Sequence, residues 1–90
     1  MAQAADALGD IYFEMLYVDI ALKFYKEAQD FHKKADDDFR FFLVKRKIGD
    51  LFQADNNFSG ALLKYEEALA YFSEHDNQEQ EALTRQQIAN

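Results

Sequence analysis

The sequence contains no cysteine and no proline, and only three of its 90 residues are glycine. Without cysteine, the chain can form neither a disulfide framework nor a thiolate metal site. Most β-sheet architectures need turn residues more often than this chain offers them. Alanine, leucine, glutamate, lysine and glutamine are plentiful instead, and all five favour helices. We therefore expect helices joined by short connections.

The sequence also lacks long apolar segments and a net positive charge, and these absences argue against several classes of function. No stretch approaches the roughly 20 apolar residues that a membrane-spanning helix requires, and the N-terminus lacks the basic and apolar segments of a secretory signal. The net charge of −7 argues against binding to nucleic acid or to anionic membranes, since both depend on cationic side chains. We predict a cytoplasmic or otherwise intracellular protein without a nucleic-acid or membrane partner.

The sequence repeats itself with an offset of 40 residues, which is the signature of a repeat architecture. The identical pairs include Gly9/Gly49, Asp10/Asp50, Ala21/Ala61, Leu22/Leu62, Tyr25/Tyr65, Glu27/Glu67 and Ala28/Ala68. We predict one domain over residues 1–90, with a first unit at about 2–38, a second at about 39–78 and a terminal helix at about 79–89.

Each unit is predicted to contain two helices, each with one buried apolar face. In the first unit these faces are Leu8, Ile11, Tyr12 and Met15, then Leu22, Tyr25, Ala28 and Phe31. In the second they are Phe41, Val44, Ile48, Leu51 and Phe52, then Leu62, Tyr65, Ala68, Leu69 and Phe72. Polar segments at 36–38, 55–57 and 74–78 mark helix ends. Asp19 and Ser59 are the expected N-caps of the second helix of each unit.

Gly9 and Gly49 lie within predicted helices, where glycine costs about 1 kcal/mol relative to alanine. Because this cost recurs at the same place in both units, we expect two helices to approach closely there. Alanines on the partner helix provide the matching small surface. Two pairs of large side chains are expected between them: Tyr12 and Phe52, and Tyr25 and Tyr65.

The pattern Leu8-Gly9-x2-Tyr12-x8-Ala21-x3-Tyr25-x2-Ala28 resembles the tetratricopeptide repeat, and Ile48 to Ala68 keep the same intervals. The family's usual period is about 34 residues, so a period of 40 is similar to its longer-helix variants. The resemblance implies an all-α superhelix of antiparallel helix pairs, with two full repeats and a capping or truncated C-terminal helix. It also implies a protein-interaction scaffold or adaptor rather than an enzyme, with no cofactor.

By the same resemblance, the first helix of each unit lines a concave groove that binds a peptide. The implied groove residues are Gln3, Asp6, Asp10, Phe13, Glu14, Leu43, Arg46, Asp50 and Gln53. Asp6 and Asp10 stand where the chaperone-tail subfamily has lysine and asparagine, so we do not expect a carboxylate clamp. An acidic groove with Phe13 as an apolar contact favours a basic or amphipathic segment of a partner protein. The alternative is that these residues form solvated helix faces.

A calcium site is the alternative function. Oxygen-bearing residues occur at EF-hand ligand spacing, with Gly60 at the turning position. The candidate ligands are Asp55, Asn57, Ser59 and Glu66. Against this interpretation, Leu63 occupies a ligand position and the first unit has no matching pattern. His32 and Asp36 also have the i,i+4 spacing of a metal pair, but two ligands do not make a site.

The start of the second unit has more apolar surface than one buried helix face requires, because it contains Phe39, Phe41 and Phe42. Packing against the neighbouring helices accounts for these rings. The alternative is a self-association surface, since exposed aromatic clusters often mark interfaces, and it implies a possible homodimer.

Overall fold

The computed structural model describes the backbone of residues 2–89 and the side chains of residues 5–89. It contains five helices: α1 (Ala2–Glu14), α2 (Val18–Lys34), α3 (Asp38–Ala54), α4 (Phe58–Glu74) and α5 (Gln78–Ala89). Residues 2–89 include no strand, so the all-α prediction is confirmed, and so is the predicted terminal helix. None of the helices in this range combines the length and the apolar character needed to cross a bilayer.

Consecutive helices are joined by three-residue turns that share one backbone geometry. The middle residue of each turn has a positive φ, and these residues are Leu16, Asp36, Asn56 and Asp76. The next residue donates its N–H to a carbonyl five positions earlier, as Asp37 does to His32 at 2.8 Å. This is the Schellman arrangement. Asp and Asn tolerate the left-handed conformation better than other non-glycine residues, which allows tight turns in a chain with few glycines.

Each following helix begins at the residue directly after its turn, so the last residue of the turn is the N-cap. Both predicted N-caps were therefore wrong. Asn57, not Ser59, caps α4, and its side-chain oxygen accepts a hydrogen bond from the Gly60 N–H at 3.1 Å. Tyr17, not Asp19, precedes α2 and makes no side-chain cap bond. The reason is that the Schellman turn leaves its last residue in position to start the next helix.

Leu16 is the strained member of the four turn residues. Its φ is 64° and its side chain is 72% exposed, so leucine accepts a conformation that costs ~1 kcal/mol with few contacts in return. We expect Leu16→Asn to raise the free energy of unfolding by about 0.5–1 kcal/mol in urea denaturation. The reciprocal Asn56→Leu should lower it. No gain from Leu16→Asn would mean that contacts of the leucine offset its backbone strain.

The core lies between consecutive helices, which pack against one another. Its buried apolar residues are Ala21, Tyr25, Ala28, Val44, Ile48, Leu51, Ala61, Tyr65, Ala68 and Phe72. The close approach at the two glycines is confirmed. A Cβ atom on Gly9 would lie 2.5 Å from the ring of Tyr25, and one on Gly49 would lie 2.7 Å from the ring of Tyr65. Glycine is therefore the residue that lets each tyrosine ring approach the neighbouring helix so closely.

The first helix departs from the predicted burial. Three of its four predicted core residues are exposed: Leu8, Ile11 and Met15. At the 40-residue offset, Ile48 and Leu51 are buried because α2 packs against α3. On this side of α1, residues 2–89 provide no corresponding helix. Elsewhere in the predicted core, Phe31 and Leu62 are also exposed.

Candidate interaction surface on the first and third helices

Helices α1 and α3 carry the residues predicted to line the groove. The ammonium of Lys47 on α3 lies 3.1 Å from a carboxylate oxygen of Asp10 on α1, joining the two helices. Asp10, Phe13, Glu14 and Leu16 line a shallow depression. Phe13 also packs against the core from its half-buried position.

The remaining predicted groove residues lie on α3 and in the first half of α1. On α3 they are half-buried: Leu43, Arg46, Asp50 and Gln53. Asp6 of α1 is half-buried as well. The side chain of Gln3 lies outside the described side chains. The structure therefore groups Asp10, Phe13 and Glu14 around one depression, and Arg46, Asp50 and Gln53 along the neighbouring helix.

One hydrogen bond occurs in both units. The hydroxyl of Tyr25 donates to Asp10 at 2.7 Å, and that of Tyr65 donates to Asp50 at 2.5 Å. Tyr65 also lies 3.2 Å from the side-chain oxygen of Gln53. Because each tyrosine ring lies against a glycine, its hydroxyl reaches the residue that follows that glycine. This geometry explains why the Gly-Asp pair recurs together with the tyrosine at the 40-residue offset.

Burial changes the protonation equilibria of this surface. Desolvation raises the pKa of both Tyr25 and Tyr65 well above the ordinary value, and the hydrogen-bonded carboxylate of each raises it further. Desolvation also raises the pKa of Asp50, although its hydrogen bond from Tyr65 and the charge of Arg46 oppose the rise. Both tyrosines therefore stay protonated and act as donors that orient Asp10 and Asp50.

Folding stability should decline above about pH 10 because of these two tyrosines. Their folded pKa values are raised above the ordinary value of about 10. Their contribution to stability is therefore complete below pH ~10 and is lost as the pH rises toward the folded pKa values. Urea unfolding at pH 8 and pH 11 measures the loss. Tyr25→Phe/Tyr65→Phe should be less stable at pH 8 but should lose less on going to pH 11. An equal loss in both proteins would contradict this assignment.

Basic side chains partly neutralise the predicted groove. Lys47 pairs with Asp10, and Arg46 lies 3.4 Å from Asp50 on the next turn of α3. Glu14 is exposed and forms no ion pair within the described residues. The surface is therefore of mixed charge, and it is less acidic than the sequence predicted.

His32 is a buried polar residue in the last turn of α2. It is 2% exposed, and its Nε2 lies 3.0 Å from a carboxylate oxygen of Asp6 on α1. Asp36, which has the spacing of a metal pair with His32, lies exposed in the turn after α2. The burial of His32 could have been predicted from the 40-residue alignment, since it pairs His32 with the apolar Phe72, which is fully buried.

The residues with EF-hand spacing do not surround a common point. Helix α4 begins at Phe58, so Ser59 and Glu66 lie in one helix with a rise of about 10 Å between them. The side-chain oxygen of Asn57 is the N-cap acceptor for Gly60. Within the described part of the chain, no group of three or more His, Asp and Glu residues is placed to hold a metal ion.

The aromatic residues at the start of α3 pack against α4. Phe42 stacks on Tyr71 with ring centroids 4.4 Å apart, and Phe39 meets Phe72 edge-on at 6.2 Å. Phe41 contacts the edge of Phe42, and the ammonium of Lys45 lies over both rings. Packing within the chain therefore accounts for Phe39 and Phe42, and self-association through these rings stays a prediction.

Comparison of the chain with protein-family models, curated proteins and solved structures finds no match.

Proposed function

We propose that the chain is a tetratricopeptide-like interaction module whose α1 and α3 bind a basic or amphipathic segment of another protein. The supporting observation is the contact between glycine, tyrosine and aspartate that recurs at a 40-residue offset. Through this contact, Asp10 on α1 and Asp50 on α3 have the same hydrogen-bonded tyrosine partner in each unit. A segment that crosses α1 and α3 can meet both carboxylates in turn.

The charges of this surface make a cationic segment a suitable ligand. Asp10 is paired with Lys47, whose ammonium is partly exposed. Exposed ion pairs of this kind contribute only about 0–1 kcal/mol, so a lysine or arginine of the bound segment can displace Lys47 at low cost. Glu14 adds a negative charge beside the depression at Phe13, which can take an apolar side chain of the same segment.

The proposal is tested with two matched peptides and the 15N-labelled protein. One peptide alternates lysine and leucine, and the other has glutamate in place of every lysine. We expect the lysine peptide to bind more tightly and to shift amide resonances of α1 and α3. Asp10→Asn/Asp50→Asn should weaken its binding at least fivefold, because asparagine keeps an acceptor for the tyrosine hydroxyls and removes the charge.

The matched control is Asp30→Asn/Glu66→Gln, which removes two exposed carboxylates from α2 and α4. This control should bind the lysine peptide as the unchanged protein does. If both double variants weaken binding equally, the effect comes from the net charge of the protein and not from this surface. Binding that is unaffected by Asp10→Asn/Asp50→Asn would refute the assignment of this surface.

A further inference from the structure

An apolar surface with no helix packed on it among residues 2–89 lies on α1 and the adjoining part of α2. It consists of Leu8, Ile11 and Met15 of α1, Ile20 and Phe24 of α2, and Tyr12 between the helices; we name it the outer groove. Ile11 and Met15 are each 50% exposed and Ile20 is 42% exposed. The ring of Tyr12 stacks on Phe24 at a centroid distance of 5.6 Å, so the apolar faces of the two helices meet there.

The second unit shows what covers this position. The counterparts of Leu8 and Ile11 are Ile48 and Leu51, which are 2% and 0% exposed. They are buried because a helix, α2, packs against α3 on that side. The counterparts of Ile20 and Phe24 are Gly60 and Lys64, so the open groove of the first unit is more apolar than the covered one. A helix is therefore the shape that fits the outer groove.

The charges beside the outer groove select the kind of helix. Glu14 is one turn from Ile11 on α1, and Glu27 is one turn from Phe24 on α2, so a glutamate borders each side. Both are exposed, and neither forms an ion pair within the described residues. Asp19 precedes Ile20, and Lys23 lies next to Phe24; both are exposed. The border of the groove therefore carries three negative charges, those of Glu14, Asp19 and Glu27, against the one positive charge of Lys23.

We propose that the outer groove binds an amphipathic helix of a partner protein, with lysine or arginine on both flanks of its apolar face. Charge complementarity favours this occupant, and helix-in-groove recognition requires the apolar face. A second copy of this chain would bring the same glutamates against each other. The outer groove is distinct from the surface that α1 forms with α3, so the first unit carries two binding surfaces, with Glu14 on the ridge between them.

Two helical peptides with the same leucine and alanine face test the proposal by fluorescence anisotropy. One carries lysine on both flanks of that face, and the other carries glutamate. We expect the lysine peptide to bind at least tenfold more tightly. Ile11→Ser/Met15→Ser should weaken its binding at least tenfold, and Glu27→Lys should weaken it severalfold without removing apolar surface. Circular dichroism melting of each variant checks that the fold is retained.

Two controls separate this site from other surfaces. Leu62→Ser/Leu63→Ser removes two exposed leucines of α4 and should leave binding unchanged. Glu66→Lys makes the same charge change as Glu27→Lys at an exposed position of α4 and should also leave binding unchanged, so loss of the groove is distinguishable from a change in net charge. Absence of binding, or equal binding to Ile11→Ser/Met15→Ser, would overturn the proposal. A dimer in sedimentation velocity that Ile11→Ser/Met15→Ser dissociates would overturn it in favour of a second copy.

Discussion

Gly49→Val is expected to lower the free energy of unfolding by about 3 kcal/mol, although valine is the better helix former. A Cβ atom at this position would lie 2.7 Å from the ring of Tyr65. The ring has little freedom to move, because it is buried and its hydroxyl is bound to Asp50 on the same helix as the glycine. The added side chain must therefore push α3 and α4 apart. Urea denaturation measures the loss.

A double-mutant cycle identifies the cause of this loss. If the clash with the ring is responsible, Gly49→Val should cost less than about 1 kcal/mol in a Tyr65→Val background, where the ring is absent. Ala54→Val, at an exposed position of the same helix, should cost no more than about 0.5 kcal/mol in either background. A cost of Gly49→Val that is the same with and without the ring would show that the contact with Tyr65 is not its origin.

The helices and the contact between glycine and tyrosine could be predicted because both correspond to periodic patterns in the sequence. The spacing of apolar residues shows which face of a helix is apolar, and the 40-residue offset shows which small residues recur. The turns were harder to predict in detail. A glycine in the left-handed conformation usually marks the end of a helix in a sequence. Here those positions are Leu16, Asp36, Asn56 and Asp76, so the sequence did not show where each following helix begins.

Burial on α1 could not be predicted from periodicity, because an apolar face shows that a helix is amphipathic and does not show that a neighbour covers it. Leu51 and Ile11 have similar patterns around them, yet only Leu51 has a helix packed against it. The candidate surface was partly predictable for a related reason. Asp10 and Asp50 were identified by their place in the repeat, whereas Lys47, which neutralises Asp10, reaches it from another helix.

Removing one partner of the buried pair of His32 and Asp6 should destabilise the fold more than replacing both. Asp6→Leu leaves the polar His32 ring without its partner in the core, and His32→Phe leaves the half-buried carboxylate of Asp6 without its partner. An unpaired buried polar group costs about 1–3 kcal/mol, so we expect each single variant to lose about 2 kcal/mol. One carboxylate oxygen of Asp6 already lacks a hydrogen-bond partner among the described residues.

The double variant His32→Phe/Asp6→Leu should be within about 1 kcal/mol of the unchanged protein, because apolar replacement of both members of a buried pair is often neutral or stabilising. Phenylalanine fits the position, since Phe72 occupies the equivalent place of the second unit and is fully buried. Urea denaturation of the four proteins in this cycle gives the coupling free energy. Additive losses would contradict a specific pair. A strongly stabilised double variant would mean that the polar pair is kept at a cost in stability, as expected of a residue pair that serves something other than the core.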